Sequence, residues 1–424
     1  MSGVLFYNGC RIKTGVLTEI SVTEAEEKDV NFYDYDGFRL LSYTNAEALA
    51  LTELPSNPIV NENLTFDGWN WTLAQIKNQI NNVSGVVNVG AVYHTTDDKT
   101  HITCKPSENY RNALVCLTPT VANAVTVDWG DGTTDTWTST SQETKSHVYS
   151  DVTSTSVYDI AISCSSGTYA FNTYISGARV SNQNAVYTDV KLSNKVSSIG
   201  GSCFNRCYSL KHISIPGGVS VGNSCFKECY TMEHITFPDS VTSIGSECFY
   251  SCRLLKNTSV PGTFVSFGDY CFQQCYQLRC ISIPSGVTSV GYGTFKQDTI
   301  KNVILPDSVT SIGNYCFSEC ESLESVTISN NITAFSEYCF SGCISLVSIV
   351  VPSGVVSIGT ECFTNCSSLK KIYCKPTTPP SLDEYAIPSG NTNMVIYVPT
   401  ASLSQYTSAT TWSTFSSKIK AYNF

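Results

Sequence analysis

Between residues 196 and 374, apolar and polar positions recur in one order, I-x-I-P-x-x-V-x-S-I-G-x-x-C-F-x-x-C-x-x-L. Ile213 and Ile215, Ile281 and Ile283, Val326 and Ile328 alternate with polar neighbours, which predicts short strands with one face inward. Pro216, Pro238, Pro261, Pro284, Pro306 and Pro352 end these strands, because proline has no N–H for a ladder. A second short strand is predicted at 241–244 and 309–312, with Gly245 and Gly313 turning the corner. Cys248, Phe249, Cys252 and Leu255 have the spacing of one or two helical turns. Phe204, Phe226, Phe249, Phe272, Phe295, Phe317, Phe340 and Phe363 mark the phase, 22 or 23 residues apart. A period of this length predicts a solenoid, in which each coil buries its apolar residues only against its neighbours.

The pattern closely resembles the BspA-type leucine-rich repeat over residues 196–374. The resemblance implies an adhesion or recognition surface and brings no catalytic residue with it. Two coils depart from the pattern. The run from Thr294 to Ile300 lacks both cysteines and is one residue short, and the first coil is one residue short between Pro216 and Phe226. Each is expected to bend the stack locally.

Elsewhere the pattern predicts smaller units, giving a β-rich chain with about eight coils preceded by an α+β module and a β-sandwich. Residues 1–30 alternate weakly and then turn acidic, which suggests an arm of short strands. Residues 31–88 carry a strand into the Asp36-Gly37 turn, a return strand at 40–43, a helix capped by Asn45, and a second helix after Trp69-Asn70-Trp71. This order is β-grasp-like and distantly resembles internalin-type B-repeats. Its F-Y-D-Y-D-G, L-P-x-N-P and G-W-N-W segments more closely resemble tail and minor structural proteins of phages of gut Firmicutes. Trp69 and Trp71 suit core packing, with a carbohydrate platform as the alternative.

In residues 89–178, Val125-Thr-Val-Asp-Trp129-Gly-Asp-Gly132 and the later His147-Val-Tyr149 resemble the polycystic-kidney-disease (PKD) sandwich, a spacer and binding module. Asp128, Asp131 and Asp135 suit turn formation, with calcium binding as the alternative. The coil region is taken as 179–375. Residues 376–424 open with a proline-rich break and then predict a C-terminal cap, with helices at 401–406 and 412–419 carrying Trp412 and Phe415.

Composition narrows the function. Only 14% of the 424 residues are charged, as suits a β-rich surface protein. The net charge of −10 argues against a nucleic-acid partner. No apolar run of 18 residues predicts membrane insertion. Of twenty cysteines, fourteen form seven C-x3-C pairs, from Cys203/Cys207 to Cys362/Cys366. They can be buried packing thiols, disulfides or metal ligands; packing is the simplest reading, and no cofactor or metal is expected. The five histidines are scattered and no nucleophile, Walker or zinc-protease motif occurs, so catalysis is not expected.

Two classes remain, a phage virion protein (tail fibre, tip or decoration) and a bacterial cell-surface adhesin. The opening Met1-Ser-Gly-Val has no secretory-leader pattern and no hydrophobic tail follows the repeats, which favours the virion. An intracellular scaffold fits the composition less well. The expected partners are a bacterial surface glycan or protein and, through the N-terminal region, other virion proteins; a homo-oligomer stays open. Frame positions are fixed by stacking, so specificity belongs where coils differ and face outward. Tyr208, Tyr230 and Tyr276 follow the second cysteine; Tyr270, Tyr315 and Tyr338 precede the first. Stacked at one coil spacing they would form aromatic stripes for binding, or merely shield the turns.

Overall fold

The computed structural model describes residues 6–7, 10–12, 29–56, 59–60, 63–82, 86–108, 111–122, 124–150, 152–172, 187–279, 281–383, 385–388 and 390–424. Most of the expected N-terminal arm lies outside these residues. The chain is β-rich and dominated by a solenoid of about ten turns.

Most coils contribute two short parallel strands, the coil at Ile281–Ile283 keeping only the second. The I-x-I strands stack in register, as at His234–Thr236 on Asn257–Ser259, and the S-I strands stack separately, as at Ser243–Ile244 on Ser266–Phe267. The glycine after each S-I strand is needed for space rather than for its torsion. A Cβ on Gly313 would lie 2.5 Å from the backbone nitrogen of Tyr292 on the previous coil. The eight phenylalanines, at most 2% exposed, form one ladder with ring centroids 5.3–5.8 Å apart. The ladder passes through both shortened coils without a gap.

Both strand stacks begin in the sandwich. One sheet runs Thr134–Trp137, Val125–Asp128, Tyr158–Cys164, Thr100–Cys104, Tyr187–Lys191, His212–Ser214. The other runs Glu143–Val148, Asn112–Pro119, Tyr169–Phe171, Val196–Ile199, Ser220–Val221. Each is antiparallel at its start and changes to parallel where the coils begin. The first coil therefore has no bare edge, and a single apolar core extends from Ile102 to Ile419.

At the other end, coil geometry continues beyond Lys375. Ser381–Leu382 pairs with Ser357–Ile358, and Lys371–Cys374, Val395–Pro399 and Ile419–Tyr422 add parallel strands in order. The expected second C-terminal helix is a 3-10 helix at Trp412–Lys418, and Ile419 begins the last strand. Trp412 and Tyr406 are buried, donating to the carbonyls of Pro380 (2.7 Å) and Pro376 (2.8 Å).

The N-terminal module is a four-stranded sheet in the order Arg39–Tyr43, Val30–Tyr33, Val87–Thr95, Leu64–Trp69. Val87–Thr95, which straddles the expected boundary at residue 88, belongs to this sheet. The helix Asn45–Ala50 is capped by Thr44 and not by Asn45: the Thr44 hydroxyl accepts from Glu47 N–H, and the Glu47 carboxylate accepts from Thr44 N–H.

The module lies on the I-x-I segments of the first four coils. The middle residues of those segments, Ser214, Thr236, Ser259 and Ser282, are all buried. The Asn70 amide donates to the Phe237 and Ser259 carbonyls, both at 2.9 Å, and its oxygen accepts from Gly90 N–H at 2.7 Å. Trp71 donates to the Val260 carbonyl and Gln79 to the Ile283 carbonyl. Gly90 is required here, since a Cβ would fall 2.3 Å from the Thr236 side chain. Trp71 is thus a packing and fastening residue, and the partly buried Trp69 packs edge-on against Phe32 and Phe66 and donates to the Pro55 carbonyl.

Candidate functional site

The C-F-x-x-C segments are turns and not the helical turns that their spacing suggests. In each coil, residues just before the two cysteine positions take left-handed backbone, among them Tyr270 (φ 55°), Gln274 (64°), Tyr315 (59°) and Glu319 (59°). Two such residues in four end any helix. They also rotate alternate N–H groups toward the next coil: Phe204 N–H donates to the Cys225 carbonyl and Arg206 N–H to the Lys227 carbonyl. The second cysteine of each pair donates its thiol to the phenylalanine carbonyl of the previous coil, at 2.9–3.2 Å in six coils. Burial pushes these thiols well above their ordinary value, which keeps the proton that the bond needs. The eighteen cysteines from Cys104 to Cys374 whose side chains are described are free thiols.

In the coil lacking cysteines, polar residues take both places. Thr294 is buried and donates to the Gly291 carbonyl at 3.0 Å. Asp298 stands at the second cysteine position and accepts from Cys275 N–H at 2.8 Å. Burial pushes its carboxyl well upward, which favours the protonated acid in the thiol column.

This turn geometry sets the tyrosines outward in two columns. In the first, Tyr208 and Tyr230 stack at 4.9 Å and 18°, and the Arg253 guanidinium lies 4.5 Å from the Tyr230 ring centre. Glu228 accepts from the Tyr230 hydroxyl at 3.1 Å and from Arg206 at 3.2 Å. Tyr276 shares the column one coil past Arg253, is 42% exposed and is not brought into the stack. The second column is more continuous: Tyr270, Tyr292, Tyr315 and Tyr338 follow at 5.0, 5.3 and 4.5 Å, the last pair parallel within 6°. Sequence reading missed Tyr292 because Gly293 occupies the register position and shifts the tyrosine by one. It also missed Tyr385, whose left-handed φ of 54° continues the column past Glu361. Apart from Tyr276 and Tyr385, the column tyrosines are half-buried.

A further array lies on the strand side. Beyond the module, the middle positions of the I-x-I strands change from small polar residues to Ile304, Thr327, Val350, Tyr373 and Tyr397. Val350 is 38% exposed, and Tyr373 and Tyr397 stack at 5.0 Å with Tyr422 edge-on to both. The signal was present in the sequence as one column read down the repeats.

The other candidate chemistries resolve into structural contacts. Asp128 accepts from Gly130 N–H, Asp131 from Thr133 N–H and Asp135 from the Trp129 indole, so the three carboxylates hold the turn. Both ring nitrogens of His101 are engaged by carboxylates, Asp159 at 2.6 Å and Asp97 at 3.0 Å, which raises its affinity for a proton and leaves neither nitrogen to activate a nucleophile. Among the described residues no group of three His, Cys, Asp or Glu side chains is placed to hold a metal ion. No helix among them is long and apolar enough to cross a membrane.

Residues 178–299 and 288–405, together more than half of the chain, match the family described as BspA type leucine rich repeat region. No curated protein matches the chain. Among solved structures, the chain is similar to a leucine rich cell surface protein from Faecalibacterium prausnitzii A2-165, with 21% identity over 61% of this chain and 91% of that one and a TM-score of 0.38. A leucine-rich repeat protein from Eubacterium ventriosum matches at 20% identity over 56% and 75%, TM-score 0.36. The T. pallidum leucine rich repeat protein matches at 21% over 48% and 83%, TM-score 0.30. The period, the coil geometry and the match over residues 178–405 agree: this chain belongs to the BspA-type leucine-rich repeat family.

Proposed function

We propose that this is a non-catalytic recognition protein, a phage virion component that binds a bacterial surface glycan or protein through its repeat array. The observation that carries this reading is the sorting of residues within each coil. The frame is buried and fixed by stacking, whereas tyrosines gather in ordered columns on the turn side. A ring pre-set by its neighbours loses little conformational freedom on binding and offers both an apolar face and a hydroxyl. The binding residues are Tyr208, Tyr230 and Tyr276 in one column and Tyr270, Tyr315 and Tyr338 in the other.

The virion assignment draws on the resemblance of residues 31–88 to phage tail proteins. Asn70 and Trp71 of that segment fasten the module to the coils, so in this reading module and array act as one body, with other virion proteins engaged through the N-terminal region. The PKD-like reading of the sandwich draws on Trp129 stacked on His147 at 5.3 Å and on the Tyr149 hydroxyl donating to the Trp129 carbonyl. A bacterial cell-surface adhesin is the alternative, favoured by the sparsely charged composition. Mass spectrometry of purified phage particles and of the host envelope separates the two.

The binding surface is tested by replacing Tyr208, Tyr230 and Tyr276 together with serine. Cell binding should be lost while melting changes by no more than a few degrees, as for surface substitutions. Intact binding, or loss of folding, would sink the assignment.

A further inference from the structure

The turn side of the solenoid ends in a recess. Ile387 takes the phenylalanine position of the coil after Phe363, and the Phe363 N–H donates to the Ala386 carbonyl as in the regular stack. Beyond Ile387 the chain runs through Pro388, Gly390, Asn391 and Thr392, with no C-x-x-L segment to cover the turn at 361–367. A concavity of about 670 Å³ remains between the two. That size suits a small-molecule site.

The second tyrosine column runs into this recess, whereas the first has its last tyrosine at Tyr276 and reaches the recess through Glu321, Ile344 and Ser367. Glu361 follows Tyr338 in the second column, accepting its hydroxyl at 3.3 Å, and Tyr385 is the next member. Ser367 lies in the first column, in register with Tyr208 and Tyr230. The Tyr385 side of the wall is a ring 67% exposed. Around it stand the Glu361 carboxylate, the Asn365 amide, and the hydroxyls of Thr364 and Ser367, which donate to the Tyr385 and Ile344 carbonyls; the Asn391 amide is engaged by the Leu369 carbonyl and Asn393 N–H.

An exposed ring beside several amides and hydroxyls suits a pyranose. The apolar C–H face of the sugar covers the ring, and its hydroxyls donate to the Glu361 carboxylate and to the remaining lone pairs of Thr364 and Ser367 and exchange hydrogen bonds with the Asn365 amide. Charge narrows the class. The wall has Glu361 and no basic side chain, Lys418 is engaged with the Asn391 carbonyl at 2.8 Å, and the chain carries −10 overall. An anionic sugar would meet repulsion here.

We infer that the recess binds one neutral sugar residue, the end of a glycan laid along the column from Tyr270 to Tyr338. This rests on reading the tyrosine columns as the recognition surface. The test is saturation-transfer NMR on the full chain with N,N′-diacetylchitobiose, cellobiose and maltotriose, and with N-acetylneuraminic acid as the anionic comparison. At least one neutral sugar should bind with a millimolar constant, and N-acetylneuraminic acid should not. Tyr385→Asn removes the ring while keeping a residue that tolerates left-handed backbone, and should weaken binding roughly tenfold or more. Asn365→Ala should weaken it severalfold. Absence of neutral-sugar binding, stronger binding of the anionic sugar, or unchanged binding in Tyr385→Asn overturns the inference. The serine variant at Tyr208, Tyr230 and Tyr276 keeps the two ideas apart. If it loses cell binding but retains the small sugar, the recess stands as a site in its own right. If it loses cell binding while wild-type protein binds none of the sugars, the columns stand and the recess falls.

Discussion

Asp34, in the Y-D-Y-D-G stretch, is 2% exposed, and burial with the nearby Asp36 raises its pKa to about 7 despite a hydrogen bond from Tyr93. The folded state therefore holds this proton more tightly than the unfolded chain, whose aspartate titrates near 3.9. Its contribution is fully present below about pH 4 and is lost as pH rises through about 7, a swing on the order of 4 kcal/mol. Asp34→Asn should accordingly gain stability relative to wild type between pH 4 and 8, most of all at the upper end. Parallel denaturation curves at each pH check this, and identical profiles would refute it. Asp298 follows the same logic in the thiol column. There its carboxyl accepts from Cys275 N–H, where cysteine elsewhere donates through sulfur.

At the level of elements, the I-x-I strand serves two purposes along one array. At Ser214, Thr236, Ser259 and Ser282 the middle residue is small and polar and the module seats itself there through buried contacts; from Ile304 through Thr327 and Val350 to Tyr397 the face is open. Asn70 is the central fastener, donating to two carbonyls and accepting from Gly90. Asn70→Ala leaves the Phe237 carbonyl and the Gly90 N–H without that partner, at roughly 1–3 kcal/mol each, while the Ser259 carbonyl keeps its bond from Phe237 N–H. It should release the module, seen as an early separate transition in denaturant and as new protease cleavage between the module and the sandwich. A single unshifted transition would show that the seat does not depend on this side chain.

On the scale of the whole molecule, one core runs from sandwich to C-terminus, and its last surface is closed by Tyr406, Trp412, Phe415 and Ile419, all at most 8% exposed. Burying each such side chain contributes about 1.5–3 kcal/mol, so deleting residues 391–424 forfeits several kcal/mol and bares an apolar face with a strand edge. The truncated protein should aggregate in light scattering and melt earlier. A monodisperse product with unchanged melting would count against a capping role.

The repeat was legible because its causes are local and periodic. The 22- or 23-residue phase of phenylalanine, the alternating I-x-I and the prolines each state a requirement of stacking that every coil must meet alone. The tyrosine positions of the two turn-side columns followed from the same phase, save Tyr292 and Tyr385, where an offset of one residue or a changed frame residue hid the register. What the sequence could not show depends on groups far apart in the chain. The helical spacing of C-F-x-x-C gave way to left-handed turns because hydrogen bonds to the neighbouring coil outweigh those within the segment. The seating of Asn70 on Ser259 joins residues 189 apart, and no local pattern distinguishes an asparagine that fastens two units from one in a turn. The recess beside Tyr385 exists only because one coil fails to cover another. Periodic burial fixed the coil; the contacts between units decided which parts of its surface remain open to a partner.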